Sequence, residues 1–252
     1  MNITDSFGLQ GKTILVTGAS SGIGRSVAEH IVKAGGRVVI TGRNEVRLNE
    51  TFQFLDTAQD FQYAGDLTDE EFLDRLCVQL PSLDGMVYCA GFVHSFPIKF
   101  LNDSKIRETM RINFESAVLL TSKILRLKKF NNRASLLFLS SISSEFPHKG
   151  GTLYCASKAA LETFTKTIAV EYAYQGIRAN YLRPGMVITP MYDKAKADAS
   201  SEVMDAHIAR YPLGPGKPED IALAALYFLS PASRWVTGTG LIMDGGLTLD
   251  SK

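Results

Sequence analysis

Lys12-Thr13-Ile14-Leu15-Val16-Thr17-Gly18-Ala19-Ser20-Ser21-Gly22-Ile23-Gly24 is a β-branched run that breaks into three glycines spaced Gly-x-x-x-Gly-x-Gly. From Ile23 to Ala34 the apolar residues recur at helical spacing, and Gly35-Gly36 stops them. The stretch therefore reads as strand, glycine turn, helix. Glycines let the backbone approach a bulky anion and let a helix pack close to a strand. A helix N-terminus also aims N–H groups and positive dipole at a phosphate. A dinucleotide pyrophosphate fits such a turn, with Gly18, Ser20, Ser21, Gly22, Ile23 and Gly24 around it; a plain tight turn is the other reading. The second strand, Arg37 to Thr41, ends at Gly42-Arg43-Asn44. An acid there would suit the ribose hydroxyl of NAD, whereas an Arg suits the 2′-phosphate of NADP. Arg43 points to NADP(H) and makes NAD the weaker expectation.

The same alternation continues along the chain. Helical patterns run over Glu45 to Leu55, Glu70 to Leu80, Asp103 to Lys128, Thr152 to Tyr174 and Pro218 to Leu229. Strand patterns run over Phe61 to Ala64, Gly85 to Gly91, Ser135 to Leu139, Arg178 to Leu182 and Gly240 to Met243. Strands alternating with helices predict an α/β fold, a Rossmann-type doubly wound parallel sheet with helices on both faces, and residues 1–252 read as one domain. Asp66-Leu67-Thr68-Asp69 reads as a strand exit with a helix cap, and Asp66 either reaches the adenine end of a nucleotide or only closes the turn. Ala90 and Gly91 are small residues at a strand end, as close backbone approach to a cofactor requires. The polar, helix-prone stretch from Thr189 to Leu213 reads as a mobile flap over a pocket, with a plain surface excursion as the other reading.

Apolar residues make up 45% of the 252 and charged ones 21%, with a net charge of +1 and no long basic run. That excludes a nucleic-acid footprint or a membrane-surface helix and leaves a small molecule as the expected partner. Apolar runs stop short of the ~20 residues that span a bilayer, and the polar start lacks the features of a signal peptide, so the expected location is cytoplasmic. Cys77, Cys89 and Cys155 are odd in number and widely spaced, and suggest neither a disulfide framework nor a metal site.

One pair of residues is a candidate for chemistry, the other reading being an exposed Tyr and Lys that merely share a helix face. Tyr154 and Lys158 stand four apart in a helical segment, so they stack on one face. A phenol titrates near ~10, and a fixed cation beside it favours the phenolate, giving an acid suited to a carbonyl oxygen. Asn113 lies amid apolar neighbours and needs partners, and Ser140 to Ser144 close the strand before Tyr154, where an open α/β sheet places its ligand.

Together these residues resemble the short-chain dehydrogenase/reductase family over nearly the whole chain. Thr17 to Gly24 looks like its cofactor turn, Tyr154-Cys155-Ala156-Ser157-Lys158 like its Tyr-x-x-x-Lys, and Ser141 falls thirteen residues before Tyr154. Asn113 matches the helix Asn, Asp66 and Leu67 the adenine-side pair, and Pro184-Gly185 with Val187 and Thr189 the segment that touches the nicotinamide. The resemblance implies hydride transfer between NADP(H) and a carbonyl or alcohol. In that scheme Tyr154 is acid/base, Lys158 holds the ribose and lowers the Tyr pKa, Ser141 binds the substrate oxygen and Asn113 holds a relay water. It also implies a homotetramer or dimer, and among relatives the chain looks most like the 3-oxoacyl-carrier-protein reductase group, which points to a ketoreductase. The alternatives are a sugar or alcohol dehydrogenase working oxidatively and a catalytically silent dinucleotide sensor. One departure is Tyr88-Cys89-Ala90-Gly91 where the family has Asn-Asn-Ala-Gly. Cys cannot supply the amide hydrogen bonds of Asn, which leaves the bracing of that strand end in question. Phe92, His94, Phe96, Phe146, His148 and Met186, with Met191 and Tyr192, flank the expected site and suggest a partly apolar pocket.

Overall fold

Seven parallel strands form one sheet in the order β3-β2-β1-β4-β5-β6-β7. They are β1 (Thr13–Thr17), β2 (Arg37–Gly42), β3 (Phe61–Ala64), β4 (Leu83–Tyr88), β5 (Phe130–Leu139), β6 (Arg178–Pro184) and β7 (Gly240–Met243). The computed structural model describes residues 6–55, 60–190, 192 and 201–249. The helices are α1 (Gly22–Lys33), α2 (Glu45–Leu55), α3 (Glu70–Gln79), α4 (Asp103–Met110), α5 (Ser116–Arg126), α6 (Thr152–Glu171), α7 (Ser201–Ile208) and α8 (Pro218–Leu229).

Successive side chains of a strand point to opposite faces, and the sequence uses that to build two cores. Ile14, Val16, Val38, Ile40, Val87 and Leu137 pack with α1 and α8 on one face, whereas Leu15, Val39, Met86, Leu136 and Phe138 pack with α3, α5 and α6 on the other. Both faces are dry, so the central strands read as continuous apolar runs. Because the chain runs outward from β1 to β3 and then returns to β4 on the other side, the loops after β1 and β4 diverge and leave a crevice at their carboxyl ends. Among the described residues no helix is long and apolar enough to cross a membrane.

Several boundaries differ from the sequence reading. The expected helix from Asp103 to Lys128 is broken by a π-helical turn, Arg111–Glu115, with Asn113 at its centre. Strand β5 begins at Phe130 rather than Ser135; Asn131, Asn132 and Arg133 are exposed and Arg133 takes a positive φ of 65°, so no alternation marks them. The fourth strand stops at Tyr88, and Cys89 to Gly91 run on as loop. Helix α6 ends at Glu171 and a 3-10 turn, Ala173–Gln175, carries the chain to Gly176, whose φ of 70° suits a glycine stop. The flap expected over 189–213 falls in part on residues 191 and 193–200, outside the described residues, and its later part carries α7.

Candidate active site

The crevice between the β1 and β4 exits is a cleft of about 1340 Å³, lined by the β1 turn, the ends of β2 and β3, and the loop after β4. Gly18 sits at φ 65°, and a Cβ there would lie 3.0 Å from the Ala90 amide nitrogen. A Cβ on Gly24 would fall 2.4 Å from the Gly18 carbonyl oxygen, so this glycine is what lets α1 begin hard against the end of β1. The α1 N-cap, Ser21, makes no side-chain capping bond and the first turn holds no acid. The helix therefore offers its first N–H groups and its dipole to the cleft without internal competition. These features fit a pyrophosphate, and the cleft is larger in volume than a drug-sized molecule needs.

At the far rim stand Arg43, Asn44, Arg47, Asp66 and Leu67. Arg43 Nη1 lies 4.0 Å from Asp66 Oδ2, and both side chains are well exposed. Asp66 also closes its own turn, accepting from the Thr68 amide at 2.8 Å and the Thr68 hydroxyl at 2.9 Å, while Asp69 caps α3 through the Glu71 amide. The turn-closing reading of Asp66 holds, and the same residue lines the cleft. Arg47 was not anticipated. It lies four residues after Arg43 in the first turn of α2 and brings a second guanidinium to the rim; the spacing was visible, and only the cleft shows that it counts.

Tyr154 and Lys158 open α6, on one face as the spacing predicts. Lys158 is 5% exposed, its Nζ donates to the Leu139 carbonyl at 2.6 Å and lies 5.7 Å from the centroid of the Tyr154 ring. A Cβ on Gly91 would sit 3.5 Å from this Nζ, which places the ammonium behind the cleft lining. The titration of the pair departs from expectation. Burial pushes the Tyr154 phenol up, with the Ser141 side chain pulling the other way, and burial brings Lys158 down to about 8. Desolvation outweighs mutual stabilisation because Lys158 faces the phenol ring and spends a proton on Leu139. At neutral pH the phenol of the free chain is thus fully protonated.

A consequence can be measured. A fall from 10.5 to about 8 costs the ammonium form roughly 3 kcal/mol, offset in part by the Leu139 bond. With a folded pKa below the unfolded one, wild-type stability rises with pH between about 8 and 10.5. Lys158→Met is expected to raise Tm at pH 7 by a few degrees, and the gain should shrink across that window. A loss of Tm at pH 7, or a difference indifferent to pH, would contradict the burial assigned to this ammonium.

Asn113 is fully buried. Its Oδ1 accepts from the Phe92 amide at 2.9 Å, and its Nδ2 donates to the Phe92 carbonyl at 3.0 Å and to Ser157 Oγ at 3.3 Å. The side chain is therefore occupied in bracing the loop after β4, and Asn113 itself sits in the π turn, where i→i+5 bonding disturbs the regular ladder. Ser141 lies at the β5 exit, 7% exposed, its hydroxyl accepting from the Ser143 amide at 3.1 Å. The bracing left in question by Cys89 comes from Thr17, whose Oγ1 accepts from the amides of Cys89 and Ala90 at 3.1 and 3.2 Å. Burial pushes the Cys89 thiol up to about 12, so it is a neutral packing group. Thr189 lines the cleft opposite Gly22, whereas Pro184, Gly185 and Val187 do not; Gly185 is tied to Met243 at 2.9 Å and Val187 bridges to Gly216. Tyr154, Lys158, Asn113 and Ser141 also lie outside the cleft lining itself.

The family described as Enoyl-(Acyl carrier protein) reductase matches residues 18–248. The chain is 31% identical over 242 residues to the 3-oxoacyl-[acyl-carrier-protein] reductase FabG of Rickettsia felis, covering 96% of this chain and 98% of that protein. It is 30% identical to a tropinone reductase homolog of Arabidopsis thaliana, over 96% of this chain and 93% of the relative. Among solved structures, a putative NAD(P)-dependent gluconate 5-dehydrogenase from Beutenbergia cavernae with bound NADP superposes with a TM-score of 0.88 at 29% identity, over 97% and 100% of the two chains. A dehydrogenase/reductase from Sinorhizobium meliloti 1021 does so with a TM-score of 0.87 at 30% identity, over 97% and 98%. Sheet order, glycine turn, the Tyr-x-x-x-Lys of α6 and this full-length likeness lead to one conclusion: the chain belongs to the short-chain dehydrogenase/reductase family and is an oxidoreductase.

Proposed function

We propose that residues 1–252 form one catalytic unit that reduces a carbonyl to an alcohol with NADPH, a ketoreductase of the 3-oxoacyl-carrier-protein reductase kind. The observation that carries the reading is the position of Lys158, buried under Gly91 at the cleft while sharing a helix face with Tyr154. Bound NADPH supplies the hydride to the carbonyl carbon. The Gly18 to Gly24 turn and the α1 N-terminus hold the pyrophosphate, Arg43 with Arg47 holds the 2′-phosphate, Asp66 and Leu67 flank the adenine, and Ala90, Gly91 and Thr189 frame the nicotinamide end, with Pro184, Gly185 and Val187 as the segment that leads to Thr189. Ser141 Oγ donates to the substrate oxygen and Tyr154 Oη gives it a proton as negative charge develops there. Lys158 Nζ donates to the nicotinamide ribose and, as a cation, steadies the phenolate left behind. A water on the π-turn main chain beside Asn113 returns a proton through Lys158. A cytoplasmic setting agrees with three unpaired cysteines.

The second reading, an oxidative sugar or alcohol dehydrogenase, is favoured by the gluconate dehydrogenases among the similar structures. A silent dinucleotide sensor is disfavoured because Asn113, Ser141, Tyr154 and Lys158 are all present. The test is cofactor oxidation at neutral pH with a panel of a 3-oxoacyl thioester, simple ketones, keto-sugars and an enoyl thioester, and cofactor reduction with the matching alcohols. Turnover of a carbonyl with NADPH supports the reading. Turnover of the enoyl thioester alone, or of alcohols with NAD alone, overturns it.

The exposed apolar residues Ile106, Val170 and Tyr174 on and after α4 and α6, and Trp235, Leu241 and Ile242 by β7, support self-association through these surfaces. A dimer or tetramer mass is expected by light scattering at micromolar concentration, and a monomer would count against it.

A further inference from the structure

Glu162 continues the spacing of Tyr154 and Lys158 by one more turn of α6, yet no step above uses it. Its side chain is 6% exposed. Oε1 accepts from Ser140 Oγ at 2.6 Å, Ser144 Oγ at 2.5 Å and Arg183 Nε at 2.8 Å, and Oε2 accepts from Arg183 Nη2 at 2.6 Å. Three donors converge on Oε1 and one on Oε2, two of them from a guanidinium, an arrangement that favours the anion. Arg183 sits on β6 beside Pro184, its side chain 17% exposed, and its third arm donates to Glu145. These donors hold the Glu162 carboxyl below the usual range against burial, and the Arg183 guanidinium is held above its own.

Buried ion pairs are weak sources of stability, since apolar residues of similar volume often replace them without loss; what they do well is fix one arrangement. Here the arrangement is specific. Ser140 and Ser144 bracket the turn that carries Ser141, and both hydroxyls end on the same Glu162 oxygen, closing the loop into a ring. The Ser144 hydroxyl also lies 2.7 Å from the carbonyl of Ser141 itself. The Ser141 hydroxyl accepts from the Ser143 amide within the turn and meets the Tyr154 phenol across from it. Strand β6, helix α6 and the β5 exit thus meet at one carboxylate directly behind the serine.

We propose that Glu162 and Arg183 are positioning residues that lock the Ser140–Ser144 loop and so set the Ser141 hydroxyl against Tyr154. This rests on the reading of Ser141 as the group that binds the substrate oxygen. The test is a double-mutant cycle on the carbonyl of the panel that the wild type turns over fastest. Glu162→Leu should lower kcat about 10- to 100-fold, as displacement of a reacting group by about an ångström does, with NADPH affinity by fluorescence titration within about twofold of wild type. In a Ser141→Ala background the same change should cost less than about threefold, because there is no hydroxyl left to misplace. Ser144→Ala, which removes a single hydroxyl, should follow the same pattern at smaller amplitude, and it carries the comparison if Glu162→Leu does not fold. Wild-type kcat in Glu162→Leu, or equal losses in both backgrounds, would overturn the clamp alone. Wild-type kcat in Ser141→Ala would overturn the reading of Ser141 and the clamp with it.

Discussion

Tyr154→Phe is expected to lower kcat by about 10²–10⁴-fold while NADPH still binds, because Phe keeps the ring and its packing and has no proton to give. The free chain holds this phenol above its ordinary pKa, so at neutral pH it is fully loaded as an acid and the variant loses the whole of that contribution. Binding survives because the pyrophosphate is held at the other end of the cleft, by the Gly18 to Gly24 turn and the unoccupied N–H groups of α1. Lys158→Met, by contrast, should damage both readouts, since the proposed mechanism gives one ammonium to both the ribose and the phenolate. The measurements are steady-state rate against pH and cofactor fluorescence titration for each variant. A Tyr154→Phe enzyme that keeps more than a few per cent of wild-type kcat would remove Tyr154 from the acid role.

The second large effect is on cofactor choice. Arg43→Ala should weaken NADPH binding by about ten- to a hundredfold and leave NADH nearly unchanged, since one charge-assisted phosphate contact is worth roughly 1.5–3 kcal/mol. Arg43 is well exposed and stands 4.0 Å from Asp66, so solvent and the acid both weaken it and place the loss toward the smaller figure. Arg47 lines the same rim, and removing both guanidiniums should exceed either loss alone. Titration of each variant with both cofactors settles it. Equal losses for NADPH and NADH would mean that Arg43 serves the shared part of the dinucleotide.

The fold was legible because its signals are local. A β-branched strand, a glycine turn and a helix of period 3.6 each announce themselves within a dozen residues, and their repetition fixes a parallel sheet. The misread boundaries lie where tertiary contacts overrule local pattern. The π turn around Asn113 accompanies a buried amide that meets both polar groups of Phe92, and nothing in Arg111 to Glu115 marks that contact. Asn131 to Arg133 fall where the β4–β5 register shifts, between the Leu83–Phe130 and Gly85–Ser135 pairs, and have no apolar face of their own. At the site, Tyr154 and Lys158 were readable from spacing, but the direction of their titration was not, because it depends on burial and on the Leu139 carbonyl. Glu162 and Arg183 were invisible for a related reason. They stand twenty-one residues apart on different elements, and each alone reads as an ordinary charged residue.

Hydride delivery to a carbonyl is the centre of this account, and it is tested most directly with NADPH carrying deuterium at both C4 positions of the nicotinamide. The wild-type enzyme is incubated with the 3-oxoacyl thioester and with the best ketone of the panel, and the products are read by NMR and mass. One deuterium on the new carbinol carbon, with the hydroxyl proton drawn from solvent, is the predicted result. Deuterium on a carbon of a reduced double bond, or bound cofactor that transfers none to any carbonyl, would contradict it.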